Sequence, residues 1–109
     1  MVIELLVVPD CPNEHPARQA LQKAAALAGL GAVPVTVTVI DSDGQAQRRK
    51  FVGSPTFLFD GTDPFAVPGA PTGLMCRVYS TPGGLAGAPT VEQLRDALMA
   101  AASARDAGV

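Results

Sequence analysis

Two thiols, Cys11 and Cys76, are the soft nucleophiles of this chain, and they stand in different settings. Cys11 lies in Pro9-Asp10-Cys11-Pro12-Asn13-Glu14-His15, where an apolar run gives way to breaker and capping residues and then to a helical pattern. A thiol at such a junction faces unpaired backbone N–H groups and the positive end of a helix macrodipole. Both favour thiolate, the form that attacks disulfides and binds soft metals. His15 adds to this when protonated, whereas Asp10 and Glu14 are nearby anions that oppose a second negative charge. The expectation is a modestly activated thiol; the competing reading is an ordinary, partly buried cysteine with no redox role. Cys76, in Leu74-Met75-Cys76-Arg77-Val78, is expected to be a buried structural residue, because free cysteine packs as a small hydrophobe. His15 by itself reads as a solvated first-turn residue. Arg48-Arg49-Lys50, with Asp41, Asp43 and Phe51 around it, reads as a solvated helix face rather than a phosphate site.

Bulk properties narrow the classes open to these residues. A chain of 109 residues that is 48% hydrophobic can build one core without disulfide staples, so a single domain over 1–109 is expected. A net charge of -2 offers no basic footprint for nucleic acid. Two cysteines are too few for a secreted disulfide framework or a four-thiolate metal site, which predicts a cytoplasmic protein with no metal. The opening MVIELLVV has a Glu inside the apolar run and no basic segment before it, so it reads as a strand rather than a signal peptide. No stretch approaches the roughly 20 apolar residues that cross a bilayer, so no membrane association is expected.

The elements that must position Cys11 follow from periodicity. Val2 to Val8 has the near-continuous apolar pattern of a central strand buried on both faces. A helix is predicted from about Glu14 to Ala28, stopped at Gly29 or Gly31. Val33 to Ile40 alternates strictly and carries Pro34 early, which suits an edge strand. Ser42 or Asp43 caps a short helix that ends before Gly53. Pro55 to Asp60 is a third strand, 61–73 a proline- and glycine-rich loop, Leu74 to Thr81 a fourth strand, and Pro82 to Pro89 a second glycine-rich loop. Thr90-Val91-Glu92-Gln93 has capping-box spacing and opens a last helix, with the chain fraying after Arg105. The order is β-α-β-α-β-β-α. Strands joined through a helix are parallel and those joined by a hairpin antiparallel, so the expected fold is α/β, with a four-stranded mixed sheet sandwiched by three helices.

That order, with Cys11 at the first strand-to-helix junction and Ser54-Pro55-Thr56 at the third strand, resembles the thioredoxin superfamily over nearly the whole chain. Cys11-Pro12, Gly53-Ser54-Pro55-Thr56, Asp63-Pro64-Phe65 and Cys76-Arg77-Val78-Tyr79 are similar to a subgroup of short thioredoxin-like proteins with one cysteine at the redox-motif position. The resemblance implies that Cys11 is the attacking thiol and Pro55 a cis-proline beside it. Pro12, Ser54 and Thr56 would line the substrate groove. Gly83-Gly84 would stand where glutaredoxins receive a carboxylate of glutathione, with Thr90, Glu92 and the amides of the last helix as counterpart. Glu14 occupies the place of the usual second cysteine and Asp10 that of a tryptophan, which excludes dithiol exchange within the motif. With the third and fourth strands paired as a hairpin, Pro55 lies opposite a residue near Ser80. Cys76 then falls on the order of 13 Å away at about 3.3 Å per residue, too far for a disulfide, whose Cα atoms must come within about 7 Å.

Three functions follow as expectations. The first is monothiol, glutaredoxin-like thiol–disulfide exchange at Cys11 with a small thiol or a client protein; no resident cofactor is needed, and glutathione is the candidate co-substrate. The second is a non-catalytic thioredoxin-fold or ligand-binding module that uses the groove or the loop 61–73, which carries Phe65 and Val67. The third is soft-metal binding by Cys11, disfavoured because two cysteines that cannot meet make a poor chelate.

Overall fold

The N-terminal apolar run becomes β1 (Ile3–Val7), the middle strand of a three-stranded mixed sheet, in the computed structural model, which describes residues 1–107. Its alternation serves two cores. Ile3, Leu5 and Val7 join a cluster with Leu21 and Ala24 of α1 (Glu14–Leu27), Phe57 and Phe59 of β3 (Thr56–Phe59), and Leu94 and Leu98 of α3 (Val91–Ala107). Leu6 points the other way, into a smaller cluster with Ile40, Phe51 and Ala46 of α2 (Asp43–Arg48). Burying both faces of one strand is what its unbroken hydrophobicity requires. The result is a sheet with two helices on one face and one short helix on the other.

β2 (Val35–Val39) pairs parallel to β1 with Ile3 opposite Val35, and β3 pairs antiparallel to β1 with Leu6 opposite Thr56, giving the order β2-β1-β3. β2 is thus an edge strand, as its Pro34 suggests. Glu4, the one charge inside β1, is accounted for: its carboxylate accepts from the Thr38 hydroxyl at 2.7 Å and from Arg49 at 2.5 Å. Burial on its own would raise the Glu4 pKa, but the Thr38 hydroxyl and the Arg49 guanidinium outweigh it and hold it below the ordinary value. A depressed folded-state pKa stabilises the fold above the unfolded-state value, about 4.3, and that contribution is lost as pH falls through the folded value. Glu4→Gln is therefore expected to lower the urea midpoint at about pH 6 and to converge on the wild type at about pH 3. A gap independent of pH would contradict this.

The region after β3 departs from the expected four-stranded sheet. Only Tyr79–Thr81 of the predicted fourth strand is extended as β4, and it pairs with β5 (Gly84–Ala86) in a separate two-residue hairpin across Pro82-Gly83. Residues read as a glycine-rich loop thus include a short strand. The outer edge of β3 is occupied otherwise. Phe59 exchanges backbone bonds with Thr62 in a tight turn, and Ser54, just before the strand, makes a parallel bridge to Cys76. Gly53 permits this crossing: with φ at +130° it adopts a backbone geometry suited to glycine, and a Cβ there would lie 2.8 Å from Arg77 Cβ.

Arg77 fastens the loop to the sheet. It is 7% exposed and donates to Asp63 Oδ2 at 2.7 Å, to the Phe65 carbonyl at 2.6 Å and to Thr56 Oγ1 at 3.2 Å, with its guanidinium 4.7 Å from the centre of the Tyr79 ring. Phe57, Phe65 and Tyr79 pack edge to face with centroids 5.6 to 6.3 Å apart. At the other end, Thr90 and Gln93 form the reciprocal capping box of α3, and Gln93 Nε2 donates to the Ser80 carbonyl, tying β4 to that helix. α3 continues through Ala107, beyond the point at which fraying is expected; residues 108 and 109 lie outside the described residues. Among the described residues no helix is long and apolar enough to cross a membrane.

Candidate functional site

Cys11 is delivered by the end of β1. The chain turns through Pro9-Asp10, with Asp10 at φ +56°, a left-handed conformation that Asp tolerates better than most residues. The Cys11 carbonyl then accepts from Glu14 N at 3.2 Å as α1 begins. The N-cap of α1 is Asn13, so Cys11 stands before the helix rather than on it. Its sulfur is engaged by a different element: Ser54 Oγ lies 2.9 Å from Cys11 Sγ and donates to it.

Ser54 is fully buried, and its hydroxyl also accepts from Val8 N at 3.1 Å. This orients the group. The Val8 amide, just past β1, occupies an acceptor site of the hydroxyl and leaves its hydrogen for the sulfur, and an O–H donor of this kind holds an anionic acceptor more strongly than a neutral one. The backbone of Ser54 is committed as well, its N–H donating to the Met75 carbonyl at 2.8 Å and its carbonyl accepting from Arg77 N at 3.0 Å. The Ser54–Pro55 bond is cis, and the Pro55 carbonyl accepts a bond from the Tyr79 hydroxyl. Burial raises the Tyr79 pKa far above its ordinary value, so the phenol stays protonated and remains a donor.

The residues singled out in the sequence fall into three groups. Cys11, Ser54 and Pro55 come together, with the exposed Pro12 beside them. Thr56 does not turn toward the sulfur: its hydroxyl donates to the Gly53 carbonyl at 2.6 Å and accepts from Arg77, which makes it part of the support behind the site. Gly83 and Gly84 sit at the exposed tip and start of the β4–β5 hairpin. It is Gly87, further along, that reaches the Cys11 region, where an added Cβ would lie 2.6 Å from Asn13 Nδ2. The α3 N-terminus offers fewer open amides than expected, because Thr90 and Gln93 take two of them.

The charges expected to act on Cys11 are arranged differently. The Glu14 carboxylate lies 3.8 Å from Arg18, one turn along α1, so of the two anions near Cys11 in sequence Glu14 has a cation beside it, while Asp10 adjoins the thiol directly in the chain. His15 is exposed, as a solvated first-turn residue should be. Arg49 of the basic run pairs with Glu4. Phe65 is packed in the aromatic cluster rather than offered to a partner.

Cys76 is the clearest correction. It is exposed rather than buried, and it lies beside Ser54 rather than four residues removed from Pro55. The 13 Å separation belongs to an antiparallel hairpin with Pro55 opposite Ser80, whereas the segment meets Ser54 in the parallel sense. Arg77 is the residue that sequence reasoning missed; a lone cation between apolar neighbours, with Asp63 in the preceding loop, was its one visible sign.

No family model, curated protein or solved structure matches this chain. The functional reading therefore rests on its own residues.

Among the described residues no group of three or more His, Cys, Asp or Glu is gathered as a metal site. A cavity of about 640 Å³ lies between the Phe59–Pro64 turn and Ala97, Ala101 and Arg105 of α3, and Cys11 does not line it. The site at Cys11 is a partly buried thiol with a hydrogen-bond donor, the Ser54 hydroxyl, set against its sulfur.

Proposed function

We propose that this chain is a thioredoxin-like, monothiol thiol–disulfide oxidoreductase that acts through Cys11, in the cytoplasm, on a small thiol or a client protein, with glutathione as co-substrate. The carrying observation is the 2.9 Å contact from the Ser54 hydroxyl to the Cys11 sulfur. The order β2-β1-β3, with its parallel and antiparallel pairings and Cys11 at the end of the central strand, supports the thioredoxin-like part of the reading.

The chemistry needs little more than this. Cys11 as thiolate attacks one sulfur of a disulfide; a new S–S bond forms to Cys11, and the other sulfur leaves as thiolate and takes a proton from water. Ser54 holds the sulfur while it is anionic and loosens as the charge moves to the leaving group. Gly87 packs closely against the Asn13 side chain, two residues from the thiol, and Pro12 next to it is exposed.

The test uses Cys76→Ser, which leaves one thiol. Incubated with glutathione disulfide at neutral pH, it is expected to gain one glutathione, located on Cys11 by peptide mass. A protein that stays unmodified would favour the second reading, a non-catalytic binding module. That reading draws on Val67, Leu74, Met75 and Val78, which are 66%, 43%, 38% and 60% exposed around the crossing segment.

A further inference from the structure

We propose that Cys76 is the partner thiol of Cys11: it resolves the mixed disulfide formed at Cys11 and leaves an intramolecular Cys11–Cys76 disulfide. This rests on the reading of Cys11 as the attacking thiol and adds the second half of a redox cycle to it.

Both thiols converge on one residue. Cys11 Sγ touches the Ser54 side chain at 2.9 Å, and Cys76 is bridged to the Ser54 backbone by bonds of 2.8 and 3.0 Å on either side of it. Positions paired across a ladder are about 4.8 Å apart, which sets the Cys76 backbone beside the residue whose side chain holds the Cys11 sulfur. One ladder spacing and the 2.9 Å side-chain contact together already exceed the roughly 7 Å within which the Cα atoms of a disulfide lie, so closing the bond takes a movement at Cys76 or at the Pro9–Cys11 turn. The separation that argued against pairing belongs to a hairpin this chain does not form.

The setting of Cys76 fits the task. Free cysteine is among the residue types most often buried, yet this one is exposed, with exposed Leu74 and Met75 before it and Val78 after the next residue. In a parallel bridge of this pattern its own N–H and carbonyl point away from Ser54, so the residue is held by its neighbours while its side chain is free to turn. The crossing itself is built in: Gly53 lets the Arg77 backbone approach, and the Asp63 carboxylate and Phe65 carbonyl fix the Arg77 guanidinium.

The reaction balances without a further co-reactant. Cys11 thiolate attacks a disulfide of the glutathione class, forms the mixed disulfide and releases one thiolate. Cys76 thiolate then attacks Cys11 Sγ; the Cys11–Cys76 bond forms, the bond from Cys11 to the first partner breaks, and the second thiolate departs. The two protons lost by the cysteines end on the two released thiols. The protein dithiol is oxidised and the partner disulfide reduced.

The test treats dilute wild-type protein and Cys76→Ser with glutathione disulfide, quenches with acid and maps tryptic peptides. The expected wild-type product has lost two hydrogens, carries no glutathione, and joins peptides 1–18 and 51–77 through one disulfide. Cys76→Ser, whose substituted position is exposed, is expected to retain glutathione on Cys11. A wild-type protein that keeps glutathione on Cys11 as the variant does, or that links only between molecules, overturns the inference and leaves the monothiol reading standing. If neither protein takes glutathione at Cys11 and no link forms, both fall.

Discussion

Arg77→Met is expected to cost about 3 kcal/mol of folding stability, the low end of what removing one member of a buried ion pair does. The loss comes chiefly from what is left behind. Asp63 keeps a carboxylate in a site 16% exposed, where the departed guanidinium stood 2.7 Å away, and the Phe65 carbonyl and Thr56 hydroxyl lose their donor. Methionine refills much of the stem volume, so the cost reflects charge and hydrogen bonds rather than a cavity. Against a total stability of about 5 to 15 kcal/mol for a domain of this size, such a change is plain in a urea titration. Adding Asp63→Leu removes the stranded charge and is expected to recover part of the loss, the non-additivity that coupled partners show. A single variant within about 1 kcal/mol of wild type would mean that Arg77 does not hold the loop.

Ser54→Ala is expected to slow modification of Cys11 by glutathione disulfide about fourfold to fifteenfold at neutral pH: a hydrogen bond to a charged group contributes about 1.5 to 3 kcal/mol, about 1.4 kcal/mol is a factor of ten, and the lower nucleophilicity of a stabilised thiolate gives back a little under half. The same change leaves the Val8 N–H without its acceptor 3.1 Å away, so stability falls by about 1 to 3 kcal/mol. The two effects are separable. Modification of Cys76 in a Cys11→Ser background reports on the fold without passing through the sulfur that Ser54 touches, and it is expected to be little changed by Ser54→Ala. Equal slowing at both thiols would assign the effect to loosened structure and not to the hydroxyl.

Much of the scaffold is legible in the sequence for simple reasons. Val2 to Val8, the stripe Ala17-Leu21-Ala24, the alternation Val35-Val37-Val39 and the Thr90–Gln93 cap each encode an element by local pattern, and each element forms within a residue or two of where that pattern puts it. The segment 74–86 is different. Which edge it joins, and in which sense, depends on a long irregular loop, on the Phe59–Thr62 turn that closes part of the β3 edge, and on an arginine whose burial makes sense only once Asp63 and Phe65 stand around it. None of these is a periodic signal. The placement of Cys76 failed for the same reason, because register across a hairpin was assumed where the chain crosses in parallel.

The site shows the same division. Cys11 and the Ser54-Pro55 pair are visible as residue types, but the bond between a hydroxyl and a sulfur 43 positions apart becomes visible only when β1 and the start of β3 are side by side. The opposition of Glu14 to the thiolate is lessened by Arg18 one helical turn on, 3.8 Å from that carboxylate, whereas Asp10 has no such neighbour in the sequence pattern.

In the proposed function it is Ser54, not exposure, that makes Cys11 the thiol that initiates exchange. This is tested most directly by the rate at which glutathione disulfide modifies Cys11 in Cys76→Ser, measured beside the rate for Cys76 in Cys11→Ser. Cys76 is the more exposed of the two. The partly buried Cys11 is nonetheless expected to react faster; a faster reaction at Cys76 would contradict a role for Ser54 in activating it.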